Sequence, residues 1–233
     1  MNQSTPAAHF QTPVIELGVD RRAAFVTRTY VHLFAAILAF AGIEIYLFSS
    51  GLAERLAATM LSVSWLWILG GFLVVGWLAS RAAHTARSLG AQYVALAGYV
   101  IANAIIFVPL LYMAQAVAPG AIQSAALATL VGFGGLTLVA FVTRKDFSFL
   151  GALLKWGFIV ALILIVAGVL FGFELGTFFS VAMIALAGGA VLYDTSNVLH
   201  RFPEDRHVGA ALELFASIAL MFWYVLRLFM SRD

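Results

Sequence analysis

The chain has no cysteine at all, so disulfides and thiolate metal sites are excluded. Charge is scarce as well: Asp, Glu, Lys and Arg together make up 10% of the residues. The motifs that mark common enzyme chemistries are missing. There is no His-Glu-x-x-His, no Gly-x-Ser-x-Gly, no P-loop and no dinucleotide fingerprint. An intramembrane aspartyl protease would need two Asp residues within apolar segments, and only Asp194 qualifies. His200 and His207 flank an acidic loop, but their spacing and exposure do not suit a metal site. No enzyme is expected, and no cofactor.

What fills the 233 residues instead is apolar: 63% are hydrophobic, and the mean hydropathy is +1.01. A soluble domain cannot hide that much apolar surface. The runs are long and unbroken, which excludes the alternating pattern of a transmembrane barrel. The expected class is an all-α membrane protein with seven transmembrane helices, at about Tyr30–Phe48, Leu61–Ser80, Gln92–Ala114, Ala121–Val142, Gly151–Phe171, Thr177–Leu199 and Gly209–Phe229. Each is near the ~20 residues that a hydrocarbon core of ~30 Å requires. Residues 1–20 are polar, hold Pro6 and Pro13, and read as a mobile N-terminal tail before a seven-helix domain over 21–233. Ser49-Ser50-Gly51 with Glu54 and Arg55 reads as a short turn.

The basic residues are unevenly shared between the two sides. Arg21, Arg22, Arg28, Arg81, Arg87, Arg144, Lys145, Lys155, Arg201 and Arg206 fall on the side of the N-terminus, against Arg55, Arg227 and Arg232 on the other. The positive-inside rule then places the N-terminus in the cytoplasm and the C-terminus opposite. The basic sequence pI of 9.1 reflects these loops, and nucleic acid is not an expected partner.

Against this background the stretch Ser180–His200 stands out. Thirteen uncharged residues lead into Tyr193-Asp194-Thr195-Ser196-Asn197 before the apolar segment has ended. An ionisable group inside the membrane is costly and normally faces a protein interior or a wet cavity. The last two spans form an antiparallel hairpin turning near Pro203–Arg206, so residues at equal depth have numbers symmetric about that turn. This puts Asp194 opposite Glu213 to Ser217, which lie one turn apart on one helix face. Two carboxylates close together in a low dielectric share a proton, and they can exchange it for a cation. Such a pair suits a gate, a proton relay or a Ca²⁺ site, with Asp194 and Glu213 as the candidate ligands. The alternative is a local pairing of Asp194 with His200 or Arg201 at headgroup level.

Other polar residues within spans carry weaker expectations. Glu44 is read as solvated near the outer end of its span, and His32 as a packing residue. Asn103 precedes Pro109, which should kink its helix or free a carbonyl, and an interhelical hydrogen bond is expected of it. Glu44 and Asn103 are also the only obvious polar candidates for a pathway through the outer half. Arg227 should snorkel outward. Asp146 or Ser148 should cap the helix that follows.

Three stretches together resemble the Bax inhibitor 1 family, also called the transmembrane Bax inhibitor motif or lifeguard family. They are Arg144-Lys145-Asp146-Phe147-Ser148-Phe149-Leu150, Leu192-Tyr193-Asp194-Thr195, and Ala211-Leu212-Glu213-Leu214-Phe215 continuing to Tyr224-Val225-Leu226-Arg227-Leu228. The resemblance implies a central seventh helix wrapped by two three-helix layers. It also implies a place in the bacterial inner membrane. Bacterial members include pH-sensitive calcium leak channels, and other members modulate a membrane-bound protease or protect against cell death. In the leak channels an aspartate matching Asp194 pairs with one on the seventh span, whose match here is Ser217. Glu213, one turn nearer the cytoplasm, is the candidate substitute. A second-span arginine latches the first aspartate in those members, and Arg81 and Arg87 are the candidates here. The resemblance thus implies a Ca²⁺ pathway gated near Asp194, with Ca²⁺ as cargo or regulator. The alternative is a non-conducting regulator that binds another membrane protein such as a protease.

Overall fold

The computed structural model describes residues 12–85 and 88–231. Eight α-helices follow one another: α1 (Val19–Ser49), α2 (Leu52–Leu61), α3 (Trp65–Thr85), α4 (Leu89–Val117), α5 (Ala121–Thr143), α6 (Leu150–Phe171), α7 (Thr177–His200) and α8 (His207–Met230). All but α2 are long and apolar enough to cross a membrane, which gives the seven spans expected.

The last span, α8, is the axis of the bundle. It packs against α1, α3, α4, α5 and α7, and its inward positions are small or branched residues such as Ala210, Ala211, Leu214 and Ile218. Around it the helices sort into two groups by mutual contact, α1 with α3 and α4, and α5 with α6 and α7. Contacts between the groups are sparse, so two seams run along the bundle with α8 as their floor. The close packing of α3 on α8 depends on Gly209. A Cβ built there would lie 2.5 Å from the carbonyl oxygen of Ala83.

Two expectations are corrected. The segment read as a turn after the first span is a helix, α2. Gly51, with φ 74°, ends α1 in the left-handed region that glycine adopts without steric cost, and Ala53 and Ala57, one turn apart, bury against Val108 of α4. The second span therefore begins at Trp65. Residues 12–20, expected to belong to a loose tail, pack onto the bundle. Val14 is fully buried, its amide donates to the carbonyl of Phe202 at 3.0 Å, and Pro13 bridges antiparallel to Pro203. Val14, an apolar residue in a polar stretch, lies under the α7–α8 loop, and that contact fixes the strap, while Ile15 stays exposed. The remainder of the expected tail, residues 1–11, lies outside the described residues. Pro109 sits inside an uninterrupted α4.

Candidate functional site

Asp194 lies in the last turns of α7, on the face turned to α8. It is 8% exposed, and its Oδ2 accepts a hydrogen bond from the Ser217 hydroxyl at 2.5 Å. The residues around it on α7 are buried and polar: Thr195, Ser196 and Asn197. The local alternative is overturned. Arg201 reaches Asp146 instead, at 3.1 Å, and His200 Nδ1 bonds the carbonyl of Ser196 at 2.9 Å.

Glu213 has other partners. Its Oε1 accepts from Ser80 Oγ at 2.7 Å and lies 3.3 Å from His84 Nε2, which ties α8 to α3. Asp194 of α7 is bonded by Ser217 of α8, while Glu213, one turn earlier on α8, is bonded by α3. The expected carboxylate pair is thus not closed by a shared contact, because the register of α8 gives Asp194 the serine and Glu213 the α3 partners. His84 is a residue that sequence reasoning missed as a partner of Glu213. Its signal was the Ser80-x-x-x-His84 spacing, one helical turn, facing the hairpin.

Of the two latch candidates, Arg81 does not meet Asp194. Arg81 is exposed, with its guanidinium 5.3 Å from the centroid of the Trp77 ring, and Arg87 lies outside the described residues. Among the described residues no three His, Asp or Glu side chains are grouped to hold a metal, and the two carboxylates proposed as ligands are engaged apart.

At the opposite end of the bundle a cleft of about 940 Å³ opens in the seam between α3 and α4 on one side and α6 and α7 on the other. Trp65, Phe107, Trp223 and Tyr224 give it aromatic walls, and Asn103, Ser180 and Arg227 are among its polar lining. Asn103 donates to the carbonyl of Tyr99, one turn back in its own helix, at 2.9 Å, so the expected interhelical bond is not made. Arg227 does not snorkel away. Its Nη2 donates to the carbonyl of Leu175 at 3.2 Å, closing the α6–α7 connection onto the end of α8.

Glu44 is a further correction. It is 7% exposed and sits in the other seam, in a groove that does not include Asn103. The two pathway candidates therefore line different cavities.

The end of the bundle that holds the N-terminal segment is cross-tied by polar contacts. Arg21 forms a two-pronged pair with Glu204, with Nε to Oε1 at 3.1 Å, and Gln92 bonds both the carbonyl of Asp205 and the amide of Gly209. In the α5–α6 loop, Asp146 Oδ1 accepts from the Ser148 amide at 2.9 Å. This caps the turn before α6, not the helix itself. That amide and Arg201 hold the Asp146 carboxyl down at about 2.

The sequence model of the family described as Inhibitor of apoptosis-promoting Bax1 matches residues 22–233. The chain belongs to the Bax inhibitor 1 family. Similar proteins include the modulator of FtsH protease YccA of Escherichia coli K12, 35% identical over 113 residues, which are 44% of this chain. The match spans about half, 51%, of that relative's length. A second YccA, from E. coli O6:H1, is named an inner membrane protein and matches over the same extent. An uncharacterised protein of Campylobacter jejuni is 32% identical over 217 residues, covering 89% of this chain and 90% of its own. With seven spans and this family, the chain is a multi-pass membrane protein.

Proposed function

We propose that this chain is a cation leak pathway of the bacterial inner membrane, with Ca²⁺ as the ion and the N-terminus in the cytoplasm, and that the conformation described above is its closed state. The observation that supports it most is the placement of Asp194, a buried carboxylate on the contact between α7 and the central helix, held by a single hydroxyl. An outer cleft of about 940 Å³ leads into the bundle from the other end and has Tyr99 and Asn103 in its lining. A cation moving inward from it meets few polar groups until the α7–α8 contact loosens, and there the Asp194 carboxylate supplies the negative partner that a low-dielectric passage demands. Because Arg81 lies over Trp77, closure in this reading comes from the Ser217 bond and helix packing, not from an Arg81 latch.

Calcium flux into liposomes holding the purified protein tests the reading. Wild type should exceed empty liposomes, and Asp194→Asn, which keeps an acceptor for Ser217 but no charge, should conduct far less. Equal flux in well-folded wild type and variant would overturn it.

A second reading is favoured by the name of the E. coli relative: a non-conducting modulator of a membrane protease. Its test is co-purification of the full chain with a membrane protease and an altered proteolysis rate on adding it, with no flux above empty liposomes.

A further inference from the structure

The seam between α1 and α5 holds a carboxylate that the proposed pathway does not use. Glu44 stands near the end of α1, 7% exposed, and neither of its carboxylate oxygens has a hydrogen-bond partner among the described residues. Thr129 of α5 is 2% exposed, and its hydroxyl likewise has none. Both side chains line one groove of about 280 Å³ whose floor includes Phe215, Ile218 and Phe222 of α8. Its rim residues Ile45 and Leu130 are exposed on the outer surface of the bundle, so the groove opens toward lipid. No Lys, Arg or His is among its lining residues.

An unpaired carboxylate in apolar surroundings is among the costliest groups a fold can carry, and the remedy is a charge or donor brought to it. Among the described residues no basic side chain lines the groove, which leaves room for a complement from outside. A divalent cation does not suit the site. Ca²⁺ takes six to eight oxygens, and the unpartnered oxygens here are the two of Glu44 and the one of Thr129. A primary ammonium group does suit it, with three donors for three acceptors. The otherwise apolar lining takes a hydrocarbon body.

We infer that Glu44 and Thr129 form the polar end of a membrane-facing site for a lipophilic primary amine, with the ammonium group at the Glu44 carboxylate and Thr129 hydroxyl and the hydrocarbon chain in the groove. The site is separate from the Asp194 contact, and it stands whether or not the chain conducts.

The test uses the full chain in phosphatidylcholine nanodiscs and a photoreactive eight-carbon primary amine, with octylamine and octanol as competitors. Labelling should saturate, map to α1 and α5, and yield to octylamine but not to octanol. Glu44→Gln keeps the shape and removes the charge, and it should weaken labelling by about tenfold or more, as expected for a lost charged hydrogen bond. Ile122→Trp fills the groove and leaves Glu44 in place; it should also abolish labelling, which keeps the test decisive if Glu44→Gln fails to fold. Labelling that never saturates, equal labelling of wild type and both variants, or competition by octanol equal to that by octylamine overturns the inference. A Glu44 that merely holds a proton would give the first of these results.

Discussion

Ser217 on the central helix donates its hydroxyl proton to Asp194 of α7 across a 2.5 Å contact, and both residues are buried. Removing the hydroxyl leaves a buried carboxylate oxygen without its partner, at a cost of about 1–3 kcal/mol. Ser217→Ala should therefore unfold earlier than wild type in detergent, while Ser217→Thr, which keeps the hydroxyl, should lose less. Identical denaturation curves for Ser217→Ala and wild type would show that Asp194 finds another partner at no cost.

A second substitution at the same position tests function. Ser217→Asp sets two carboxylates against each other in a low dielectric, where they share one proton and titrate as a pair. Ion flux through this variant should change more steeply with pH than flux through wild type. A pH profile unaltered by the substitution would place the gate elsewhere.

Two glycines separate backbone from side-chain crowding. At Gly209 a Cβ would sit 2.5 Å from the Ala83 carbonyl oxygen and 3.0 Å from its Cα, so α3 itself must move. Overpacking against backbone costs about 1–3 kcal/mol. At Gly157 the clash, also 2.5 Å, is with Cδ1 of Leu186, the free end of a side chain that can turn aside. Gly209→Ala should lower the melting temperature clearly and Gly157→Ala little. The reverse order would mean that α3 is not held against α8 by this contact.

Asp146 gives a pH dependence with a definite sign. The Ser148 amide and Arg201 lower its carboxyl from 3.8 to about 2, so the unfolded chain takes up a proton first as pH falls. Its contribution to stability is then complete above about pH 5 and fades between about 4 and 2. The pair with Arg201 is about half exposed, which limits its share to below ~1 kcal/mol. The melting-temperature difference between wild type and Asp146→Asn should be constant at neutral pH and vanish near pH 2. A difference that persists at pH 2 would assign the effect to something other than the charge.

Val14 anchors the N-terminal strap. It is fully buried under the α7–α8 loop, and Val14→Asp would bury a charge there without a counter-ion. Limited proteolysis should then cut near residues 12–18 faster than in wild type, with the helical content of the bundle unchanged. Equal cutting rates would show that the Arg21–Glu204 pair alone holds the strap.

The number of spans, their order and the class of the protein follow from the sequence by itself. Twenty-residue apolar runs have one stable arrangement in lipid, the helix that satisfies its own backbone. The facing of Asp194 and the Glu213–Ser217 turn is also written there, because a hairpin with a proline-marked turn fixes depth by counting. Which of Glu213 and Ser217 meets Asp194 is not. They differ by a turn on one face, and only the packed register of α8 against α7 and α3 gives the serine to α7 and the glutamate to Ser80 and His84. The burial of Glu44, the docking of Val14 and the helix α2 were equally hidden. Depth in a membrane is a property of one segment and leaves its mark in hydropathy. Azimuth is a property of pairs of helices, and the apolar residues of α4, α5 and α6 are spread round the whole helix, so hydropathy does not tell a lipid-facing side from a packed one. Only the packing of the other six spans with α8 decides it.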